Sequence, residues 1–256
     1  MKRIASINLT IIAAIVVIAA VCTSCKSKGD GDVKLLETIV SEDGSITKFE
    51  YDDQNRIVKM LVYDDGELMG TQTITYKGNN LVSYVFSFDE SLWDYWGEVP
   101  DMHAERFGNT IYVNDGGSEY TIILNDEGYI VEYKSEHPMA GVSVNRYQYA
   151  DGRLTKVVEE GRVREIKYDN KKSPFYHCNT PKWFMQYRFF DFAFENNITG
   201  WKIVEGSTDH QYEYENEYKY DRDGFPTKLT KTERTMYDNE EGYVSTIITT
   251  FTYHSL

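Results

Sequence analysis

Few residues in this chain have both the type and the spacing for chemistry. Cys178 is a thiol, and the base nearest to it in sequence is His177. Neighbours on a strand point to opposite faces, so the pair does not make a nucleophile and base there, and a buried inert thiol is the better reading. Five histidines (His103, His137, His177, His210, His254) show none of the close pairing of a zinc site, and no metal is implied. Asp221-Arg222-Asp223-Gly224 has the opening of a calcium loop. A full loop needs a bidentate Glu near position twelve; that position is Thr232, with Glu233 beside it, and turn formation accounts for the acids better. Ser41-Glu42-Asp43-Gly44 and Asp238-Asn239-Glu240-Glu241-Gly242 read the same way. Acids are numerous enough for a glycoside-cleaving pair, but nothing singles one pair out. No nucleophile elbow, zincin helix or phosphate loop occurs. The expectation is therefore a protein without catalytic residues and without a cofactor.

The remaining candidates are rings. Trp93, Trp96, Trp183, Trp201 and the pair Tyr212 and Tyr214 could stack on a sugar or meet the apolar side of a ligand. Rings on strands more often belong to a core. Trp93 and Trp96 lie in a polar stretch and are the best placed of these for exposure, so Trp93, Trp96, Tyr212 and Tyr214 are the candidate ligand-binding aromatics.

A different chemistry sits at the amino end. Lys2 and Arg3 precede the apolar run Ile11–Val21, and Cys22-Thr23-Ser24-Cys25 follows. The run is about half of the roughly 20 residues a spanning helix needs and suits the h-region of a secretory signal. A short uncleaved anchor is the alternative. Small Ser24 before Cys25 resembles the lipobox of bacterial lipoproteins, although Cys22 stands where Leu is commonest. The resemblance implies residues 1–24 as signal peptide and Cys25 as the lipidated first residue, held to a membrane by several acyl chains. Residues 25–34 then read as a flexible tether, and residues 35–256 as one domain. Lys26 after the cysteine favours the outer membrane by the same resemblance, with the leaflet open.

Charge narrows the partners. The chain carries 27 Lys and Arg against 41 Asp and Glu, a net −14, and loss of Lys2 and Arg3 with the signal makes it −16. That excludes a general nucleic-acid binder. After processing only Cys178 remains beside the lipidated residue, so no internal disulfide holds the fold.

One phrase recurs: an aromatic or aliphatic residue, any residue, Tyr, an Asp/Asn/Gly corner, and an apolar run. It occurs at Phe49–Met60, Tyr147–Val157 and Tyr218–Leu229, more loosely at Ile74–Leu81 and Ile122–Ile130, and begins again at Ile166. Asp, Asn and Gly tolerate the left-handed backbone that hairpins need, while Tyr, Ile, Thr and Val favour strands. Tyr212–Tyr220 alternates rings, interrupted by Asn216, with charges, which gives a strand one dry face. The phrase resembles the YD repeats of bacterial surface and toxin-shell proteins, though a few copies are too short to wrap an enclosing cage. The lipobox at Cys25, Asn170–Phe175, Glu195–Thr199, Tyr220–Lys228 and the closing Phe251-Thr252-Tyr253 resemble a family of uncharacterised Bacteroidetes lipoproteins, which implies no activity.

The expected fold is all-β: an antiparallel β-meander of about a dozen strands forming a curved sheet, with one short helical or looped segment packed on a face. Pro174–Asn197, rich in rings and with Trp183, Tyr187, Phe190 and Phe194 at helical steps, supplies that cover. Asp89–Phe107 breaks the alternation and reads as a short helix or an insertion loop. The expected function is non-enzymatic: an outer-membrane lipoprotein that binds a glycan or an envelope protein. The runner-up is an assembly component whose sheet edge pairs with another chain, and a glycan-acting hydrolase comes third.

Overall fold

The recurring corners are built alike. In Asp52–Arg56, Asn125–Tyr129 and Asp221–Phe225 the first residue's side-chain oxygen accepts hydrogen bonds from the third and fifth backbone N–H groups, at 2.9–3.1 Å. The first N–H donates to the fifth carbonyl at 2.8–2.9 Å. The fourth residue takes positive φ: Asn55 at 61°, Gly128 at 87° and Gly224 at 84°. Each corner satisfies its own polar groups and returns the chain antiparallel. Asp65-Gly66 and Asp151-Gly152 make tighter corners, with both residues at positive φ. A computed structural model describes residues 32–88, 101–115, 118–137, 141–159, 161–206, 211–237 and 240–256.

Sixteen strands result among the described residues. They are β1 (Lys34–Ser41), β2 (Ile46–Tyr51), β3 (Ile57–Asp64), β4 (Glu67–Lys77), β5 (Asn80–Phe88), β6 (Met102–Phe107), β7 (Thr110–Asn114) and β8 (Glu119–Leu124). After them come β9 (Ile130–His137), β10 (Gly141–Ala150), β11 (Arg153–Glu159), β12 (Arg162–Lys172), β13 (Asn196–Gly206), β14 (Gln211–Tyr220), β15 (Pro226–Tyr237) and β16 (Glu240–Ser255). Each pairs antiparallel with the next, and β1 pairs with β16 from Lys34↔Ser255 to Ser41↔Thr249. The expected curved sheet is therefore a closed barrel. Closure gives β1 and β16 to each other, so neither terminal strand offers the free sheet edge that the assembly reading expects. The strand total exceeds a dozen because Met102–Phe107, expected in a helix or insertion loop, is strand β6 and its neighbours are short.

The outer face is built for water. Glu50–Lys59, Glu132–Arg146, Lys156–Glu165 and Glu215–Arg234 are ion pairs joining adjacent strands, with side chains 31–66% exposed. Their strand neighbours Phe49, Met60 and Val157 are buried on the other face. A membrane-spanning barrel carries an apolar outer band about 25 Å tall on strands of roughly 9–11 residues. Here charges stand on that face, and β6, β7 and β8 have 6, 5 and 6 residues. Where these ion pairs stand, the described wall lacks the apolar outer band of a membrane-spanning barrel.

Six hairpins carry a bulge near the start of the returning strand. Glu50↔Lys59 is followed by Tyr51↔Ile57, leaving Val58 unmatched. In the same way Val82, Val131, Thr155 and Thr227 are passed over. The extra residue is β-branched in these five and is Met69 in the β3–β4 hairpin; in three of them it turns residues three apart inward together: Ile57 with Met60, Leu81 with Tyr84, Leu154 with Val157. A bulge leaves backbone groups without ladder partners. Tyrosines near the ends of the strands that follow supply some of them: the hydroxyls of Tyr51, Tyr76, Tyr149 and Tyr253 donate to the carbonyls of Leu36, Ile57, Ile130 and Pro226 at 2.7–2.8 Å.

The crossover between β12 and β13 supplies more. It enters the barrel and contains helix α1 (Lys182–Arg188) and a 3-10 turn at Phe190–Phe192. Trp183, Phe184, Met185 and Gln186 are all buried, so α1 has no wet side over that stretch, and its rings share one core with Leu36, Phe49, Met60, Ile111 and Phe251. Thr180 Oγ1 accepts the Ile57 N–H at 2.8 Å, and Gln186 Oε1 accepts the Ile130 N–H at 2.9 Å. His177 Nδ1 accepts the Lys34 N–H at 3.0 Å. The expected cover is thus a plug, keyed to the residues that open β1, β3 and β9. Lys34, placed in the tether by its sequence, belongs to the sheet; its ammonium also bridges Asp221 at 2.7 Å and Asp223.

Two outcomes follow. Replacing Gln186 with Leu leaves the buried Ile130 N–H without its acceptor, and chemical denaturation is expected to show a loss of about 1–3 kcal/mol. The second concerns acid. Partial burial raises the carboxyl pKa values of Asp52 and Asp221, but Arg56 or Lys34 and the turn N–H groups outweigh it, and both are lowered. A lowered folded pKa stabilises above the unfolded value of about 3.9, and that stabilisation is lost as pH falls through the folded value. The melting temperature is expected to drop below about pH 4. Asp221→Asn keeps a turn acceptor, as Asn125 demonstrates, but loses the ion pair. It should melt lower at neutral pH and show a shallower acid decline.

Candidate functional site

Two regions gather rings and charges. The first lies along the inner face of β12–β15. Trp201 and Tyr214 face each other across β13 and β14, with centroids 4.4 Å apart. The Arg164 guanidinium lies 4.8 Å from the Trp201 ring and pairs with Glu159. The Lys231 ammonium lies 4.2 Å from the Tyr214 ring and pairs with Asp191 of the plug at 3.2 Å and with Glu233 at 3.5 Å. Burial alone would lower the Lys231 pKa; Asp191, then Glu233, outweigh it and hold it above its usual value. Burial, and after it Glu233, raises the Tyr214 hydroxyl. Tyr147 joins this region and is pushed up to about 12 by burial and then by Glu159. Trp201 and Tyr214 each already have a cation over a face, and the Lys231–Asp191 pair fixes the plug to the wall.

The second region is a cavity of about 500 Å³ at the rim where the corners lie. The β8–β9 corner contributes Glu127 and Tyr129, and the β10–β11 corner contributes Asp151 and Arg153. Tyr168 comes from β12, Lys182 from the start of α1, and Phe194, Glu195 and Asn196 from the end of the crossover. Tyr129 stacks on Tyr149 and on Phe194 with centroids 5.8 and 5.5 Å apart, and Phe194 meets Tyr168 edge-on at 5.8 Å. The Lys182 ammonium stands 4.4 Å from the Tyr129 ring. Burial first, then the carboxylates of Glu195 and Glu127, push Tyr129 up to about 12. The Tyr168 hydroxyl is buried and has no hydrogen-bond partner among the described residues.

This cavity can hold a ligand by two means at once. The ring cluster offers apolar contact, while two cations, three carboxylates and one amide offer donors and acceptors around it. No cluster of His, Cys, Asp and Glu among the described residues has the makings of a metal centre.

The residues singled out in the sequence fare differently. Tyr214 belongs to the first region. Residue 212 pairs with Thr235 in the β14–β15 register, and its side chain lies outside what is described. Trp93, Trp96 and Cys25 also lie outside the described residues. Trp183 is buried in the plug. Cys178 sits beside Thr180 in the crossover rather than on a strand, and burial raises its thiol pKa, as an unreactive thiol requires. The Asp221 and Asp223 carboxylates are taken by corner N–H groups and by Lys34.

Sequence reasoning missed Tyr129, Tyr168, Lys182 and Phe194 as companions. One signal was available for the plug: Gln186 is the polar residue within Trp183-Phe184-Met185-Gln186-Tyr187, and a polar residue amid such a run must find a partner.

No protein-family model matches this chain, and no curated protein does. Among solved structures, it is similar to a porin-like protein from Bacteroides uniformis ATCC 8492 (14% identity, 87% of this chain and 96% of that one, TM-score 0.41). It is also similar to a porin-like protein from Bacteroides vulgatus ATCC 8482 (10% identity, 87% of this chain and all of that one, TM-score 0.37). Likeness at these scores carries no argument about function, and the charged outer wall is the more direct observation.

Proposed function

We infer that this protein is a non-enzymatic, lipid-anchored envelope protein that holds a hydroxyl-rich ligand, a glycan segment, in the rim cavity. The cavity carries the reading: a ring cluster walled by Lys182, Arg153, Glu127, Asp151 and Glu195 suits a molecule with many hydroxyls and some apolar surface. The unpartnered Tyr168 hydroxyl supports it, since a buried polar group without a partner costs about 1–3 kcal/mol and bound water or ligand would relieve that. The water-facing wall supports anchorage through acyl chains at Cys25 in preference to insertion of the barrel. The resemblance of the Cys25 segment to a lipobox supports the outer membrane as its address.

Binding is tested on the full chain purified in detergent, by calorimetry against soluble oligosaccharides prepared from envelope and capsular polysaccharides. Saturable binding is expected, weakened at least tenfold by Lys182→Ala and by Tyr129→Ala, with the circular dichroism spectrum unchanged. No binding across such a set would sink the ligand reading, and release of reducing ends would sink the non-enzymatic one. Anchorage has its own test. Cys25→Ala is expected to abolish incorporation of labelled palmitate and to move the protein from the membrane to the soluble fraction. Unaltered labelling and fractionation would refute the lipid anchor.

A further inference from the structure

The barrel wall is not equally zipped all the way round. β4 and β5 pair from Gly70↔Phe88 to Lys77↔Asn80, and β6 and β7 pair from His103↔Asn114 to Phe107↔Thr110. Between them, β5 and β6 share only Ser83↔His103 and Tyr84↔Met102. From there to the corner-bearing rim, Asn80–Val82 and Ala104–Phe107 each have a ladder on one side only. A cavity of about 720 Å³ opens along this stretch, with Lys77, Val82, Ala104, Arg106 and Phe107 in its walls.

Two other seams have short ladders, and both are closed by side chains. Beside the three pairs of β1–β2, the Tyr51 hydroxyl donates to the Leu36 carbonyl at 2.8 Å. Beside the three pairs of β13–β14, Asn216 Nδ2 and the Tyr218 hydroxyl donate to the Ile198 carbonyl at 2.9 and 3.2 Å. Among the described residues no side chain crosses the β5–β6 seam in this way. Asn80–Val82 and Ala104–Phe107 thus have no ladder pairing on their facing sides, which resembles the edge of an open sheet.

We propose that this seam takes up an extended segment of a partner polypeptide as an added strand. Backbone hydrogen bonds would provide the attachment and alternate side chains the choice of partner. Leu81 and Ala104 are buried on the inner side, so inward positions of the segment must be small or apolar. Phe107, 64% exposed, offers an outward ring for an apolar side chain. Lys77 and Arg106, the latter also donating to the Gly108 carbonyl, place two cations at the seam against the one carboxylate of Glu105, so the fitting segment carries an acid beside Lys77. The partner is thus an extended segment with small or apolar inward residues and an acid facing Lys77. This inference is independent of the rim cavity.

The probe is the peptide fluorescein-Asp-Val-Ala-Val-Thr-amide, labelled at its amino end, added to the full chain in detergent and followed by anisotropy. Saturable binding is expected, weakened at least tenfold by backbone N-methylation of the peptide and by Lys77→Glu, and unchanged by Lys182→Ala. Hydrogen exchange on the unmutated protein provides a second reading. Amides of residues 80–82 and 104–107 should exchange quickly alone and become protected when the peptide is added. Equal binding of the N-methylated peptide, or slow exchange of those amides without any peptide, overturns the proposal. Binding lost in Lys182→Ala but retained in Lys77→Glu also overturns it, by placing the peptide in the rim cavity.

Discussion

A cylinder of sixteen strands encloses more space than its own inward side chains can fill. In larger outer-membrane barrels that space holds water. Here it takes in the crossover between β12 and β13, and that filling is what the rest of the molecule depends on. The plug brings Phe175, Trp183, Phe184 and Met185 into the main core, where they meet inward residues from strands on both sides of the closure. Without them, the inner faces of those strands would line a wet channel. The all-round burial of Trp183 to Gln186 follows from the same fact: a helix within a barrel has wall on every side.

The plug is located by polar chemistry as well as by burial. Bulges at the start of β3 and β9 leave N–H groups of Ile57 and Ile130 facing inward, and Thr180 and Gln186 accept them. Tyrosines from the strands that follow take the matching carbonyls. Each of these two bulges is thereby satisfied from two directions, by the strand after it and by the crossover. Wall and filling therefore specify one another, because sliding the plug would orphan several buried groups at once. Lys34 extends the device to the barrel seam, with its N–H on His177 and its ammonium on the Asp221 corner.

The rim cavity is a by-product of that placement. Tyr129 and Arg153 arrive on corners, Tyr168 on a strand end, and Lys182 and Phe194 on the two ends of the plug. Nothing in the local sequence of any of these segments marks them as companions, because they meet only after the crossover has turned inward. Candidates visible as isolated rings behaved differently: Trp183 became core, and Tyr214 became a surface for the Lys231 ammonium. A ring's availability to a ligand depends on what covers its faces, which is a non-local property.

Much of the wall was legible. The alternation of Tyr212–Tyr220 reflects a strand with one dry face, and Asn216 interrupts it because its amide serves the Ile198 carbonyl inside. The Asp/Asn/Gly corners are self-contained, since their hydrogen bonds fall within five residues. The pairs Ile57/Met60, Leu81/Tyr84 and Leu154/Val157, three residues apart, were also present as signals of the bulges, although a search for strict alternation passes over them. Local chemistry thus decided strand, corner and sidedness, because those rest on steric and hydrogen-bonding preferences within a few residues. Whether the ladder stays open or closes rests on β1 meeting β16 across the whole domain. That meeting, with the inward turn of the crossover and the cavity it leaves at the rim, was decided only in the tertiary structure, where burying one continuous inner face outweighs anything a single segment prefers.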